Sequence, residues 1–450
     1  GLARFDTADQ NRVGHTKQNL SLTTKQIIMK TKNRIFGFVF IFLLTFLLNV
    51  SCSKDDDSTE TETEFEITNI TLNTAEFELK KGETETLSIA NDIGNASLNW
   101  SIDDSLIASI GEDGTVTALA NGRTTITAQV GSQKATSIVL VTPDVYVAGS
   151  ESNGHFSVAK YWKNGKEVLL SDGTSDAKTR AIKVKGDKIY VAGYEKVNGQ
   201  NVAKSWENGQ PELLSVDQTL SVAVDVLLSG EDVYYAGYRD RRDTSIVATY
   251  WKNRQPLPLP YRGNYQPSSL NSIFVKDNDI YTAGRESNGD KLVAKYWVNN
   301  DPFILSDGTD DAIAYAIIVL GEDIYVAGFE TIDGMKVAKL WKNREGQNLS
   351  DGSTNEAGKA MFIDGSDVYV AGYGSIGNNL VAKYWKNGEP VILTDGSQNA
   401  LLNSIVVFDG DVYATGTESI GSYNVAKYWK NGQEVTLGTV NSESESIFIH

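Results

Sequence analysis

The chain has one cysteine, Cys52, three histidines, His15, His155 and His450, and eight prolines among 450 residues. One thiol cannot build a disulfide framework within the chain, and three scattered histidines supply neither a nucleophile–imidazole pair nor a structural zinc set. No glycine-rich phosphate loop stands between a strand and a helix, and nothing after residue 143 has the 3.6-residue apolar period of a helix. Positive charge is scarce too: 41 Lys and Arg stand against 58 Asp and Glu, a net of −17. Residues 1–51 hold 7 of the basic and 2 of the acidic side chains, so the remainder carries 34 against 56, a net of −22. Such a chain repels nucleic acid and anionic lipid, which makes both poor partners. Glycine is abundant, with 40 residues, beside 40% hydrophobic residues. That is the composition of a globular chain with many turns, and it predicts an all-β fold.

The one long apolar run, IFGFVFIFLLTFLL at 35–48, follows the basic stretch 29–34. It is shorter than the ~18–20 residues a membrane-crossing helix needs and predicts a secretory signal peptide over 29–51. The run leads into LNVSC at 48–52, where a small residue precedes the only cysteine. This resembles the lipobox of bacterial lipoproteins, which implies that Cys52 is lipidated and becomes the first residue of the mature protein. Residues 1–28 hold no methionine ahead of Met29 and read as a non-native upstream extension. Residues 52–64, CSKDDDSTETETE, form an acidic tether that cannot bury apolar surface. The tether is similar to the acidic export tag of some Gram-negative lipoproteins. The similarity implies an outer-membrane location facing the cell exterior, with membrane contact through the lipid alone.

Residues 65–142 read as about seven short strands broken by turns such as Asp113-Gly114 and Asn121-Gly122, enough for a small β-sandwich. Through WSIDDSLIASI at 100–110 and DGTVTALANGRTTITA at 113–128 the segment resembles the bacterial Ig-like domain, group 2. In that family the domain serves as a spacer or adhesive module, and Trp100 is expected in its core.

From residue 143 the chain is periodic. The hexapeptide DVYVAG at 144–149 and its variants, such as KIYVAG and DIYTAG, occur seven times in all, with the tyrosine at Tyr146, Tyr190, Tyr234, Tyr281, Tyr325, Tyr369 and Tyr413. A tryptophan follows each, at Trp162, Trp206, Trp251, Trp297, Trp341, Trp385 and Trp429. Residues 180–215 of the second unit read as four strands, a to d, and four short strands per ~40–50 residues is the period of a propeller blade. The first unit begins at strand b, whereas the last residues, SIFI at 446–449, align with SIFV at 272–275, a strand a. The expected fold of 143–450 is therefore a seven-bladed β-propeller closed by pairing of the C-terminal strand with the first blade, which removes the two sheet edges that the chain's ends would otherwise leave open. The repeat resembles kelch-type propellers through its I-Y-V-x-G strand and later tryptophan, with one glycine where kelch has two.

Residues present in every unit are expected to serve the blade. The tryptophans should wedge between sheets. Glu151, Glu195, Glu286, Glu330 and Glu418 should pair across strands with Lys160, Lys204, Lys295, Lys339, Lys383 and Lys427. The Asp-Gly steps at Asp172, Asp307, Asp351 and Asp395 are first of all turns; calcium is an alternative where Asp310 and Asp311 follow Asp307, although no EF-hand spacing appears. No catalytic residue, metal site or cofactor is assigned. Function should show where the repeat breaks, and it breaks most in the third unit. That unit has YRDRRDTS at 238–245, Thr249 in place of the lysine, and the proline-rich PLPLPYRGNYQPSS at 256–269. Arg239, Arg241, Arg242, Arg262 and, from the fourth unit, Arg285 should gather on one face beside Tyr261 and Tyr265. Guanidinium forks beside aromatic rings suit an acidic glycan or a carboxylate-bearing protein. The opposing reading is a proline-pinned insertion whose arginines Asp240 and Asp243 neutralise. The expected function is non-catalytic, surface-anchored recognition or adhesion of a glycan or cell-surface protein. Two alternatives stay open: a carboxylate-dependent glycan hydrolase or lyase, and a structural subunit of an outer-membrane complex.

Overall fold

Turn chemistry decides where the strands of the repeat end. Strand c of each unit closes on an asparagine of positive φ, from 48° at Asn299 to 53° at Asn387, followed by a second residue of positive φ, such as Gly165, Gly209 or Arg344. Two successive left-handed residues make the type I′ turn whose twist suits a two-residue hairpin. The Oδ1 of the same asparagine accepts the backbone N–H of Val145, Ile189, Val233, Ile280, Ile324, Val368 or Val412 at 2.8–2.9 Å. One side chain therefore bends the chain and pins the hairpin to the strand beside it.

This computed structural model describes residues 67–215, 217–240, 246–260, 267–439 and 441–450. The upstream extension, the signal peptide, Cys52 and the tether lie outside the described residues, as do Arg241, Arg242, Tyr261, Arg262 and Tyr265. The described residues are all-β, and among them no helix is long and apolar enough to cross a membrane.

The Ig-like segment has two sheets. Four strands run in the order Glu76–Lys80, Gln133–Thr142, Gly122–Val130, Leu98–Ile102, the first pair parallel, and three run Thr84–Thr86, Thr115–Ala118, Ala108–Ile110. Alternate residues Thr124, Ile126, Ala128 and Val130 point inward, the period of a strand with one buried face. Leu87, Val116, Ile126 and Val139 fill the core, and the partly buried Trp100 packs against both of its apolar clusters.

From Val145 onward the strands form seven four-stranded antiparallel sheets, an arrangement that fits a propeller. The second unit is representative: strand a is Ala177–Lys185, b Lys188–Val197, c Gln200–Glu207 and d Gln210–Leu213, paired in that order. The first unit supplies b, c and d as Val145–Ser152, Ser157–Lys163 and Lys166–Leu169. Its strand a is Ser442–Ile449, antiparallel to Val145–Ser152 with Ile449 opposite Val145 and Ser442 opposite Glu151. All seven repeat tryptophans are at most 5% exposed. Each lies between sheets: Trp206 shares an apolar cluster with Tyr146, Ala148 and Tyr161 of the preceding unit, and Trp251 one with Tyr190 and Ala192. Truncating a side chain so enclosed costs about 3–5 kcal/mol, which makes these rings part of the fold and closes them to any sugar.

Strand a has one residue too many in every unit. Thr179 faces Gly193 and Ala181 faces Ala192, which leaves Arg180 unpaired as a β-bulge. The corresponding bulge residues are Val224, Asn271, Tyr315, Lys359, Asn403 and Glu445. The bulge presses strand a onto the glycine of the repeated Ala/Thr-Gly step. A Cβ on Gly149, Gly193, Gly237, Gly284, Gly328, Gly372 or Gly416 would lie 1.9–2.1 Å from a strand-a carbonyl oxygen. The glycine is kept for close backbone approach, not for an unusual φ.

Candidate functional site

The repeated polar residues hold one another. Lys204 stands opposite Gly193, so its ammonium reaches diagonally along the same sheet face to Glu195. Lys160 pairs likewise with Glu151 at 2.7 Å, and Lys295, Lys339 and Lys427 with Glu286, Glu330 and Glu418. In the sixth unit Gly374 occupies the glutamate position, and Glu356 takes over the partnership with Lys383 at 2.7 Å. A second repeated set joins strand-b aspartates to strand-c lysines: Asp144–Lys163, Asp232–Lys252, Asp323–Lys342, Asp367–Lys386 and Asp411–Lys430, at 2.7–2.9 Å. The second unit exchanges the signs, with Lys188 and Glu207 at 3.1 Å.

These pairs link stability to pH. Hydrogen bonds from Lys342 and Asn343 hold the Asp323 carboxyl below its ordinary range, and Lys386 with Asn387 does the same for Asp367. The Glu151 carboxyl is also lowered: burial opposes the shift but is outweighed by Lys160 and Thr439. A carboxyl lowered by folding adds stability above its unfolded pKa and loses it as pH falls through the folded value. The urea midpoint should therefore be flat from about pH 7 to 5 and fall steeply below about pH 4. A midpoint that rose on acidification would contradict the assignment.

The seven bulge residues are of six types, and all line one cavity of about 520 Å³ to which the a strands of all seven units contribute. A bulge turns its extra side chain away from the ladder, and here each is turned toward the same space. Three layers follow along the strands. The bulge layer is Arg180, Val224, Asn271, Tyr315, Lys359, Asn403 and Glu445. Next come Ala181, Asp225, Ser272, Ala316, Ala360, Ser404 and Ser446. The last is apolar apart from Lys183, whose ammonium lies 5.6 Å from the Phe448 ring centre. The middle layer completes the hydrogen bonding that the bulges interrupt: the N–H groups of Ile182, Ile273 and Ile317 donate to Ser446 Oγ, Asp225 Oδ2 and Ser272 Oγ of the neighbouring unit. Burial raises the Asp225 carboxyl, against the opposing charge of Lys183.

Charge concentrates at the bulge layer, where a second cavity of about 430 Å³ shares Arg180, Lys359, Asn403 and Glu445 with the first. Arg180 pairs with Glu445, and Lys178 with Glu443 at 2.6 Å. Both pairs tie Ala177–Lys185 to Ser442–Ile449. The Arg180 guanidinium also lies 5.8 Å from the Tyr194 ring centre, within cation–π reach. Burial raises the phenols of Tyr238 and Tyr315; the positive charges of Arg180 and then Arg285 oppose the shift at Tyr238, and that of Arg285 opposes it at Tyr315. Lys359 Nζ donates to Asn403 Oδ1, while Asn403 Nδ2 donates to the Ser444 carbonyl at 2.9 Å. Burial lowers the pKa of that lysine, against the pull of Glu445.

Of the arginines expected to gather beside Tyr261 and Tyr265, Arg239 of the third unit and Arg285 of the fourth are described. Arg239 sits in strand b at the register of the repeated glutamates, opposite Ser221 and Val247, and its buried Nε makes no hydrogen bond among the described residues. Arg285 is opposite Ser269 and Ala294, and its charge reaches the tyrosines that line the cavity. The Asp-Gly aspartates act in their own turns: Asp172 and Asp307 accept the N–H and hydroxyl of Thr174 and Thr309 at 2.7–2.9 Å. Asp311 accepts the Leu292 N–H, and Asp310 pairs with Lys291. Among the described residues no group of three or more His, Cys, Asp or Glu is placed to hold a metal ion.

Sequence reasoning passed over the bulge residues. Their signal is present: strand a reads TRAI, NSIF and YAII across units, and the alternation slips one residue at the variable position beside a small one.

No curated protein matches this chain. Among solved structures, TolB from Acinetobacter baumannii is 9% identical with a TM-score of 0.40, covering 64% of this chain and 79% of its own. A puromycin-hydrolyzing peptidase of Mycobacterium tuberculosis is 13% identical with a TM-score of 0.42, covering 71% of this chain and 52% of its own. Residues 66–140 match the bacterial Ig-like domain (group 2) family, so this segment is an Ig-like domain of a kind that fits an extracellular or surface protein.

Proposed function

We propose that the seven sheets are the blades of one closed propeller, carried at the outer membrane on lipidated Cys52, the acidic tether and the Ig-like spacer. Its role is non-catalytic recognition of an acidic glycan or cell-surface protein. The binding face is the one where the b–c and d–a connections emerge, with Arg239, Arg241, Arg242, Tyr261, Arg262, Tyr265 and Arg285 on the rim and the bulge layer at its centre. One observation carries the reading. The repeated Glu, Asp, Lys, Asn and Trp side chains are engaged in the blades, whereas the seven bulge positions carry six different residue types and converge on one cavity. A scaffold that holds its repeated residues for itself has only the unrepeated ones to offer a ligand.

A glycan array followed by product analysis tests this. Retention of acidic glycans without new reducing or unsaturated ends supports recognition; such ends would establish the hydrolase or lyase instead. Arg239→Ala combined with Arg262→Ala should abolish retention with the melting temperature nearly unchanged. A large loss of stability in that variant would assign the two residues to the fold.

A further inference from the structure

The cations in and beside the bulge layer are not equally satisfied. Arg180 has Glu445 and Lys178 has Glu443. Lys359 and Arg285 have no ion-pair partner among the described residues, although the chain as a whole is strongly acidic. An ammonium has three donors, and Lys359 spends one, on Asn403 Oδ1. Asn403 is itself fixed by the Ser444 carbonyl, so the lysine is held at the cavity wall with no second acceptor for its ammonium among the described residues. Keeping an unpaired cation in a partly buried site is costly, and an anion arriving there would offset the cost. Tyr238 and Tyr315 line the same cavity, and aromatic rings offer apolar faces to a sugar ring. The volume of about 520 Å³ falls in the range of small-molecule sites.

We infer that the cavity mouth binds a small anionic ligand, a sugar unit carrying one carboxylate, with Lys359 as its anion anchor and Tyr238 and Tyr315 as its walls. The inference rests on the recognition reading and assigns it a ligand class and a site. A single negative charge is favoured over a doubly charged phosphate because Glu443 and Glu445 stand at the same mouth, where added negative charge is opposed.

The test is calorimetric titration of the full chain with glucuronate, glucose and glucose 6-phosphate. Glucuronate should saturate, glucose should not, and the phosphate should bind at least about fivefold more weakly than glucuronate. Lys359→Met should weaken glucuronate binding at least about tenfold, the loss of a charge-assisted contact, and Lys359→Arg should keep most of it. Arg285→Ala, on a partly exposed strand-b position, gives a second measure should the lysine variant fail to fold, and should also weaken glucuronate. Equal affinity in wild type and Lys359→Met, or tighter binding of the phosphate, would overturn the inference. Its failure is distinguishable from failure of the recognition reading: if Lys359→Met still retains acidic glycans on the array, the face stands and the cavity site falls. Glucuronate binding without array retention has the opposite meaning.

Discussion

Deletion of residues 442–450 will leave a chain that is insoluble or melts tens of degrees lower than the intact protein. Ile447 and Ile449, 3% and 5% exposed, sit in an apolar cluster with Trp162 and Tyr413, and each contributes about 1.5–3 kcal/mol of burial. The deletion also strips Val145–Ser152 of one of its two ladders and leaves Lys178 and Arg180 without their glutamates. Ser442 and Ser444, both fully buried, bond the Ala426 N–H and the Gly416 carbonyl of the seventh unit. The combined loss is on the order of 10 kcal/mol, comparable with the whole stability of a typical domain. Thermal melting by circular dichroism with size-exclusion chromatography is the check. A deletion variant that melted like the parent would show that the strand does not hold the first sheet to its neighbours.

The second large effect is expected at a residue with no side chain. Gly416→Ala would place a methyl group 1.9 Å from the Leu401 carbonyl oxygen, 2.8 Å from its carbonyl carbon and 2.9 Å from Leu402 Cα. All three are backbone atoms, so no rotamer change relieves the overlap. Strand a must move off strand b at the bulge, taking Asn403 with it. A cost of about 3 kcal/mol or more is expected, at the level of the severe core substitutions, and it would appear as a lower denaturant midpoint. Gly432→Ala provides the contrast: this glycine has nothing within 4 Å of the added atom, but its φ is +82°. Strain there is conformational and should cost only about 1 kcal/mol. Equal effects at the two sites would refute the steric account of the repeated glycine.

Much of the fold is legible in the sequence because the repeat spells it seven times. The recurring Tyr and Trp mark strands b and c, the Asn-Gly steps mark turns, and the diagonal glutamate–lysine pairs follow from strands that alternate in face. The Ig-like segment was legible through its WSIDD and DGTVTALANG stretches. Two features were harder to read. The charge exchange at Lys188 and Glu207 looks like a loss of pattern in each strand and becomes a pair only when the strands are aligned. The bulges were hidden because a bulge is a mismatch between two strands, visible in neither alone. The candidate site was therefore sought at the irregular loops of the third unit. Arg239 of that unit and Arg285 of the fourth lie in ladder positions, and the charge of Arg285 bears on Tyr238 and Tyr315 of the central cavity.

The way the chain enters the repeat has a mechanical consequence. Strand Gln133–Thr142 of the Ig-like domain is followed after two residues by Val145–Ser152. That strand is interior to its sheet, with Ser157–Lys163 on one side and Ser442–Ile449 on the other. Tension between the Ig-like domain and a ligand held at the far face pulls this strand along its own length. It must then shear two rows of hydrogen bonds at once instead of unzipping one at a free margin. Under the proposed N-terminal attachment the load would fall on a strand clasped from both flanks, and the clasp is made by residues from opposite ends of the repeat.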